Sequence, residues 1–345
     1  MGGGYLLATH RLILRLECYG YYMFSIKFCE FNLICNHLLF KRIMENRAKI
    51  ISWIKASRLT SQSYIFIPLL LGQAIYYQQS GNFNWFFFII LQLFGIFNQL
   101  YIVYANDYAD FEADQNNKTF NMFSGGSRVL VNGELEPSQL KTAAFITAGL
   151  SVACGLIFWV GFGRFWVLIL AVIGILQLWA YSYPPFKLSY RGGGEILQML
   201  GVGLVLPLMG FYGQSGSFEG FPILLIAALL PLQLACASST SLPDYPSDKS
   251  SGKKTSSVLF GLILTKCGII LLSSLTIISV YGLAARGGLD IPIIKVLALP
   301  IMATLLHITA LNSKPGSWGI MLFNFFTVLA NLAIQVGLII VFFIS

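Results

Sequence analysis

Charge is what this sequence has least of. Only 10% of its 345 residues are Asp, Glu, Lys or Arg, against roughly 25% in an ordinary soluble domain. So few charges cannot coat a water-facing surface, and a soluble globular fold is excluded. Histidine is equally scarce: His10, His37 and His307 stand far apart, and His307, inside an apolar run, reads as a packed helix residue rather than a ligand. The six cysteines include no CxxC pair, which leaves neither a zinc site nor a dithiol redox motif. The run Gly192-Gly193-Gly194 is not GxGxxG and follows no strand, so a dinucleotide site is not expected.

Apolar length is what the chain has in abundance. It is 56% hydrophobic, with 28 Phe and a mean hydropathy of +0.73. Runs of about 20 apolar residues, enough to cross the hydrocarbon core of a bilayer, recur along most of it. The expected fold is all-α and multi-pass, with lipid as its surroundings. Nine spans can be read, at about 61–79, 84–105, 140–162, 165–183, 194–213, 221–242, 267–285, 292–311 and 319–344, punctuated by Gly, Pro and charged residues such as Arg286-Gly287-Gly288. Nine crossings place sixteen Lys and Arg on one face, from Lys41 onward, and only Arg164, Arg286 and Lys295 on the other. That asymmetry puts the basic face in the cytoplasm. It also accounts for the net charge of +8 without a nucleic-acid partner. The domain from residue 44 to 345 carries all nine spans. Residues 1–43 never reach a clean apolar run of spanning length; they read as a surface helix, a targeting segment, or sequence ahead of a start at Met44. No function is placed there.

Because only 14 acids exist, their positions are informative. Asp107, Asp110, Glu112 and Asp114 fall within the nine residues 106–114, directly after the second span, and Asp244 and Asp248 follow the sixth. Both groups lie at the cytoplasmic ends of their spans, four helices apart. Asn106, Asp110 and Asp114 are spaced by four, as are Asp244 and Asp248, so each set lines one face of a helix. Like charges at that spacing destabilise a bare helix, and such a face wants a cation. Oxygen ligands alone suit Mg²⁺, which binds through one or two carboxylates and shares its other positions with phosphate oxygens and water. Two such faces opposed across a cavity can hold a diphosphate between bridging ions. The alternative is that these are solvated loop acids; against it stands the repetition of spacing, face and position. Lys187 and Arg191 in the third cytoplasmic loop, Arg128 in Ser124-Gly-Gly-Ser-Arg128, and Lys253 just after the second acidic pair are the candidate diphosphate contacts, since a departing phosphate needs compensating cations. The positive-inside bias alone also accounts for basic residues at these places.

These residues together resemble a known family. Asn106-x-x-x-Asp110-x-x-x-Asp114 with Asp244-x-x-x-Asp248, each after an even-numbered span, is similar to the UbiA superfamily of intramembrane aromatic prenyltransferases. The strings Ala105-Asn-Asp-Tyr108, Gly125-Gly-Ser-Arg-Val129, Pro184-Pro-Phe-Lys-Leu-Ser-Tyr-Arg191 and Asp248-Lys-Ser-Ser-Gly-Lys253 resemble the MenA branch. The resemblance covers roughly residues 50–345, although Arg58-Leu59 stands where such proteins often have Arg-Pro, and Ser241-Leu-Pro243 differs from the Asn-x-Arg lead-in of many relatives. It implies a nine-helix bundle around a central cavity capped on the cytoplasmic side, in a bacterial inner membrane. It implies Mg²⁺-assisted departure of diphosphate from a polyprenyl diphosphate, then attack by an aromatic acceptor, 1,4-dihydroxy-2-naphthoate, with 4-hydroxybenzoate as the runner-up. In that carry-over Asn106, Asp110 and Asp114 hold one ion and Asp244 and Asp248 the other, while Asp110 and Asp244 also act on the leaving group. Lys187, Arg191 and Arg128 contact the diphosphate, and Asp107 is placed to take the phenol proton. An ion-coupled transporter is the reading from a different class; its sites lie near the midplane, whereas these acids sit at one face. A CDP-alcohol phosphotransferase would carry an Asp-Gly-x-x-Ala-Arg lead-in, which is missing.

Overall fold

Lipid offers the backbone no hydrogen-bond partner, so an apolar run must satisfy its own N–H and C=O groups, and a helix does so. The computed structural model describes residues 41, 44, 47–121, 123–287 and 293–344, and among them there is no named strand. The chain divides between Trp53 and Ile54. In the first unit, residues 47–53 are helical; the reading of segment 1–43 falls, Lys41 apart, outside the described residues. The second unit holds α1 (Ser63–Ser80), α2 (Trp85–Ala109), α3 (Phe111–Gln115), α4 (Pro137–Phe162), α5 (Phe165–Ser182), α6 (Leu188–Arg191) and α7 (Gly194–Ser215). It continues with α8 (Ile223–Ser239), α9 (Ser241–Ser251), α10 (Ser256–Phe260), α11 (Leu262–Ala285), α12 (Ile293–Leu306) and α13 (Trp318–Ile344).

Local sequence sets the ends of these helices. The Asn84 side chain accepts the Phe86 and Phe87 N–H groups at 3.0 and 3.2 Å and so caps α2. Glu136 and Gln139 close a capping box ahead of Pro137 at the start of α4. All nine expected spans fall on helices. Among the described residues, seven helices are long and apolar enough to cross a membrane, or eight if α8 and α9, bent by 57°, form one broken span. The remaining helix is α1, whose Gln73, Gln78 and Gln79 dilute an otherwise apolar run. It packs against α7 on one side and α13 on another; Gln73 is buried there, while Gln78 and Gln79 are exposed at its C-terminal end.

Two apolar cores result. One gathers α2, α4 and α5, the other α8, α11, α12 and α13; α1 and α7 contribute to both. These two shared helices approach very closely. A Cβ added at Gly72 would meet the Pro207 carbonyl oxygen at 2.0 Å, and one at Gly210 the Leu69 oxygen at 2.1 Å. Small residues allow such backbone contact where lipid supplies no hydrophobic drive between helices. Gln214 then ties three helices, donating to Gln73 Oε1 and to the Asn84 carbonyl at 3.0 Å each. Outward faces carry Ile89, Phe145, Val160, Leu264, Leu271 and Ile278, as surfaces meant for acyl chains.

Overpacking at the α1–α7 contact has a measurable consequence. Gly72→Ala and Gly210→Ala should each lower stability by about 1–3 kcal/mol, read as a fall in thermal midpoint in detergent. Gly149→Ala, in α4 where an added Cβ meets nothing within 4 Å, should leave the midpoint unchanged or slightly raised.

Candidate functional site

The two acidic segments meet at one end of the bundle. α2 stops at Asp110, whose backbone (φ −95°, ψ 5°) leaves the helical region, and α3 restarts at once. The Asp114 N–H still donates to the Asp110 carbonyl at 2.8 Å, so the spacing of Asn106, Asp110 and Asp114 survives the bend. Asp244 lies in the first turn of α9, where helix amides favour an anion, and Asp248 is one turn on. The segments exchange partners. Asn117 donates to Asp244 Oδ1 at 2.7 Å, the Gly125 N–H to Asp244 Oδ2 at 3.3 Å and Thr119 to the Pro243 carbonyl at 2.6 Å. In return Ser247 donates to the Ala113 carbonyl at 3.1 Å, and the Lys253 ammonium pairs with Asp110 Oδ2 at 2.9 Å.

Asp107 is buried and fully engaged. One oxygen accepts from the Arg58 guanidinium, and the other accepts from Ser127 through both its N–H, at 3.1 Å, and its hydroxyl. This draws the Gly125-Gly126-Ser127 loop over the acids. Gly126, at φ +71°, has no room for a side chain: a Cβ would lie 2.3 Å from Asp114 Oδ2. Arg128 turns to the Asp114 and Asn117 carbonyls and stacks over Phe120 at 4.4 Å, so it braces the turn after α3.

Burial crowds these carboxylates and penalises their charge. Burial first, then the Asp110 and Asp107 charges, push Asp114 up to about 7. Asp248 rises to about 7 by burial, against the pull of Lys253 and with the Asp244 charge adding to it; Asp244 is raised by burial despite its hydrogen bonds. Burial would lower the Lys253 ammonium most strongly, but Asp110, Tyr181 and Asp248 together outweigh it and raise it. Desolvated carboxylates of this kind are hard oxygen donors in want of positive charge. Among the described residues no three of them converge into a closed cation cage. By its donor chemistry, oxygen atoms desolvated and short of positive charge, the set fits Mg²⁺ held through one or two carboxylates, with other positions left for phosphate and water.

The remaining cations are distributed unevenly. Lys187 lies over the Tyr190 ring at 3.9 Å, and Lys253 approaches the same ring at 5.7 Å. Arg191 is exposed at the end of α6, and among the described residues it makes no hydrogen bond or ion pair to the acids. Asn106 accepts from Ser182 on α5 at 3.2 Å. The site also uses residues that sequence reasoning passed over: Arg58, Asn117, Thr119, Ser127 and Thr255, which donates to Asp248 at 3.1 Å. Arg58 carried a signal, as the position where Arg-Pro is common, and Ser127 lay inside the string Gly125-Gly-Ser-Arg-Val129. The others are ordinary polar loop residues whose partners lie up to 127 positions away.

The sequence profile of the UbiA prenyltransferase family matches residues 65–333. The chain is 27% identical over 240 residues to a 2-carboxy-1,4-naphthoquinone phytyltransferase of Synechocystis, a match covering 68% of this chain and 73% of that one. It is 25% identical to the 1,4-dihydroxy-2-naphthoate octaprenyltransferase of Bacillus subtilis, over 57% of this chain and 61% of the relative's length. The structure of a UbiA homolog from Archaeoglobus fulgidus bound to DMAPP and Mg²⁺ superposes with a TM-score of 0.60 at 19% identity, covering 84% of this chain and 99% of that one; this likeness is one of fold.

Asn117 is the neutral partner on which Asp244 most depends. Asn117→Ala removes a hydrogen bond to a desolvated carboxylate, a loss of about 1.5–3 kcal/mol. A corresponding drop in thermal midpoint is expected with cations chelated.

Proposed function

The chain belongs to the UbiA prenyltransferase family, and from that premise we propose that it transfers a polyprenyl group from a prenyl diphosphate to the ring of 1,4-dihydroxy-2-naphthoate. The observation that carries this reading is the pair of interlocked acidic faces at one end of an apolar bundle. The relatives named for naphthoate substrates, and the archaeal homolog bound to DMAPP and Mg²⁺, support it. Mg²⁺ would be held by Asn106, Asp110 and Asp114 on one side and by Asp244 and Asp248 on the other. Bound there, it neutralises the charge that develops on the leaving diphosphate.

The residues of the chain do the rest. The allylic C–O bond breaks with its electron pair going to the diphosphate oxygen, and the electron-rich ring attacks the allylic carbon and then passes its ring proton to the released diphosphate or to water. Lys253 and Lys187 are the cations placed to bind diphosphate oxygens, and Arg191, exposed beyond them, meets the diphosphate as it enters. Arg128, committed to two carbonyls, holds the turn that carries Asp114. Asp107, with both oxygens accepting bonds, holds Arg58 and the Gly-rich loop, a role we assign in place of taking the ring proton. An isoprenoid chain is as apolar as lipid, so the bundle keeps it out of water while the acids work at the interface. We further propose that the chain crosses a bacterial inner membrane nine times, with α1 and α8 as spans and the acids facing the cytoplasm.

Asp110→Asn and Asp244→Asn keep size while removing one charge each from opposite faces. Each should fold and lose about 10²–10³ in transfer rate, measured as radiolabelled prenyl transfer in membranes. EDTA should abolish the wild-type rate and Mg²⁺ restore it, and 1,4-dihydroxy-2-naphthoate should outcompete 4-hydroxybenzoate offered beside it. Near-normal transfer by a folded Asp244→Asn protein would overturn the mechanism, and a preference for 4-hydroxybenzoate would overturn the acceptor. For topology, a reporter fused at Gly252 should register the cytoplasm and one after Ser345 the opposite side; both on one side would sink the nine-span arrangement.

A further inference from the structure

Lys253 stands out because its ammonium is spent on a carboxylate that the proposed chemistry needs for a cation. Its Nζ lies 2.9 Å from Asp110 Oδ2, and both side chains are only 11% exposed. The lysine comes from the segment after α9 and the aspartate from the end of α2, so this ion pair joins the two acidic halves. Its backbone is fixed on several sides. The Lys253 N–H donates to the Asp248 carbonyl at 2.9 Å and the Lys254 N–H to the Ser189 carbonyl at 3.1 Å. Ser256 gives its N–H and hydroxyl to Glu195 at 2.6 and 2.9 Å. Any movement therefore belongs to the four-carbon side chain, whose rotatable stem permits it.

We propose that the Lys253 ammonium and a divalent cation are alternative occupants of the Asp110 carboxylate: the lysine ties the acidic halves together until a cation binds, and is then released toward the diphosphate. The proposal rests on the reading of the acids as a Mg²⁺–diphosphate cradle. An Asp110 oxygen that accepts an ammonium offers a metal ion the same lone pairs. Leaving that buried carboxylate without any partner is strongly unfavourable, so the ammonium leaves as the cation arrives. The Tyr190 ring, 5.7 Å from Lys253 Nζ and already under Lys187, gives the freed ammonium an aromatic face beside the other candidate phosphate cation. One carboxylate thus stays neutralised in both states, and the phosphate-binding charge becomes available only after the cation is in place. The order of binding is built into the site.

A lysine that serves only as a phosphate contact makes a different forecast, which allows a direct test. Mn²⁺ binding is measured by electron paramagnetic resonance on the full-length protein in detergent, for wild type, Lys253→Gln and Lys253→Arg, without and with inorganic pyrophosphate. Without pyrophosphate, Lys253→Gln should bind Mn²⁺ about tenfold more tightly than wild type, an ordinary size for coupling between two ligands. Lys253→Arg, which keeps the competing charge, should match wild type. Pyrophosphate binding should weaken in Lys253→Gln. Equal or weaker Mn²⁺ binding by Lys253→Gln, with wild type binding normally, overturns the proposal and leaves the metal reading intact; a wild type that binds no Mn²⁺ in either condition overturns both. A second measurement needs no variant. Acetylation of Lys253 in wild type, followed by mass spectrometry with Lys254 as the internal reference, should accelerate with Mn²⁺ and slow again when pyrophosphate is added. A Lys253 labelling rate indifferent to Mn²⁺ refutes the exchange.

Discussion

Five carboxylates, Asp107, Asp110, Asp114, Asp244 and Asp248, share one end of this bundle, and the cost of holding buried charge there, first from burial and for Asp114 and Asp248 also from neighbouring carboxylates, bears on what surrounds them. Four of them are met by a specific partner. Asp107 has Arg58 and Ser127, Asp110 has Lys253, Asp244 has Asn117 and the Gly125 amide, and Asp248 has Thr255. Because most of these partners come from a different segment, the electrostatic problem also sets the tertiary structure locally. The loop after α3 is held down by the acid of α9, and the segment after α9 by the acid of α2. The same buried charges that would push the two segments apart, once paired, tie them together.

The apolar body makes this assembly possible by bringing the ends of α2 and α8 to the same place. α1 and α7, in backbone contact through Gly72 and Gly210, belong to both apolar cores. They act as a spine on which the α2 group and the α8 group are mounted. Within α7 the π-helical turn Gly201–Val205 interrupts the regular ladder, with Gln177 beside Gly201 and Gln233 beside Gly203. Gln233 is in turn bonded to Asn331 at 2.9 Å. Amides paired in this way inside a lipid-facing bundle satisfy polar groups that have no water to turn to.

Membership of the UbiA prenyltransferase family gives these features a common purpose. A reaction between a lipid-like isoprenoid and a polar leaving group needs an apolar interior and an ionic rim in one molecule. In this chain apolar helix faces form the interior, and the interlocked acidic segments lie together at one end of it. The basic residues divide their labour accordingly: Arg58 and Arg128 brace backbone and loop, while Lys187 and Lys253 keep flexible ammoniums within reach of one aromatic ring.

The helices, and the two acidic motifs that follow the second and sixth of them, were legible in the sequence. Both signals are local: hydropathy over 20 residues needs no partner, and a four-residue spacing places side chains on one face whatever packs against it. The polar character of α1 was equally local, but its meaning was not: Gln73 is buried and accepts a hydrogen bond from Gln214 of α7, whereas Gln78 and Gln79 lie exposed at the end of the helix. The partners of Asp107, Arg128 and Lys253 were likewise out of reach. Each was identified by residue type, and each finds its partner through the folding of a loop or a segment distant in the chain. Arg58 and Ser127 claim both oxygens of Asp107, the Asp114 and Asn117 carbonyls claim Arg128, and Asp110 claims Lys253. Composition and spacing settled which residues would be charged and which would be helical. Which charge meets which is a property of the fold, because desolvation makes each pairing depend on groups that only the packed helices bring within reach.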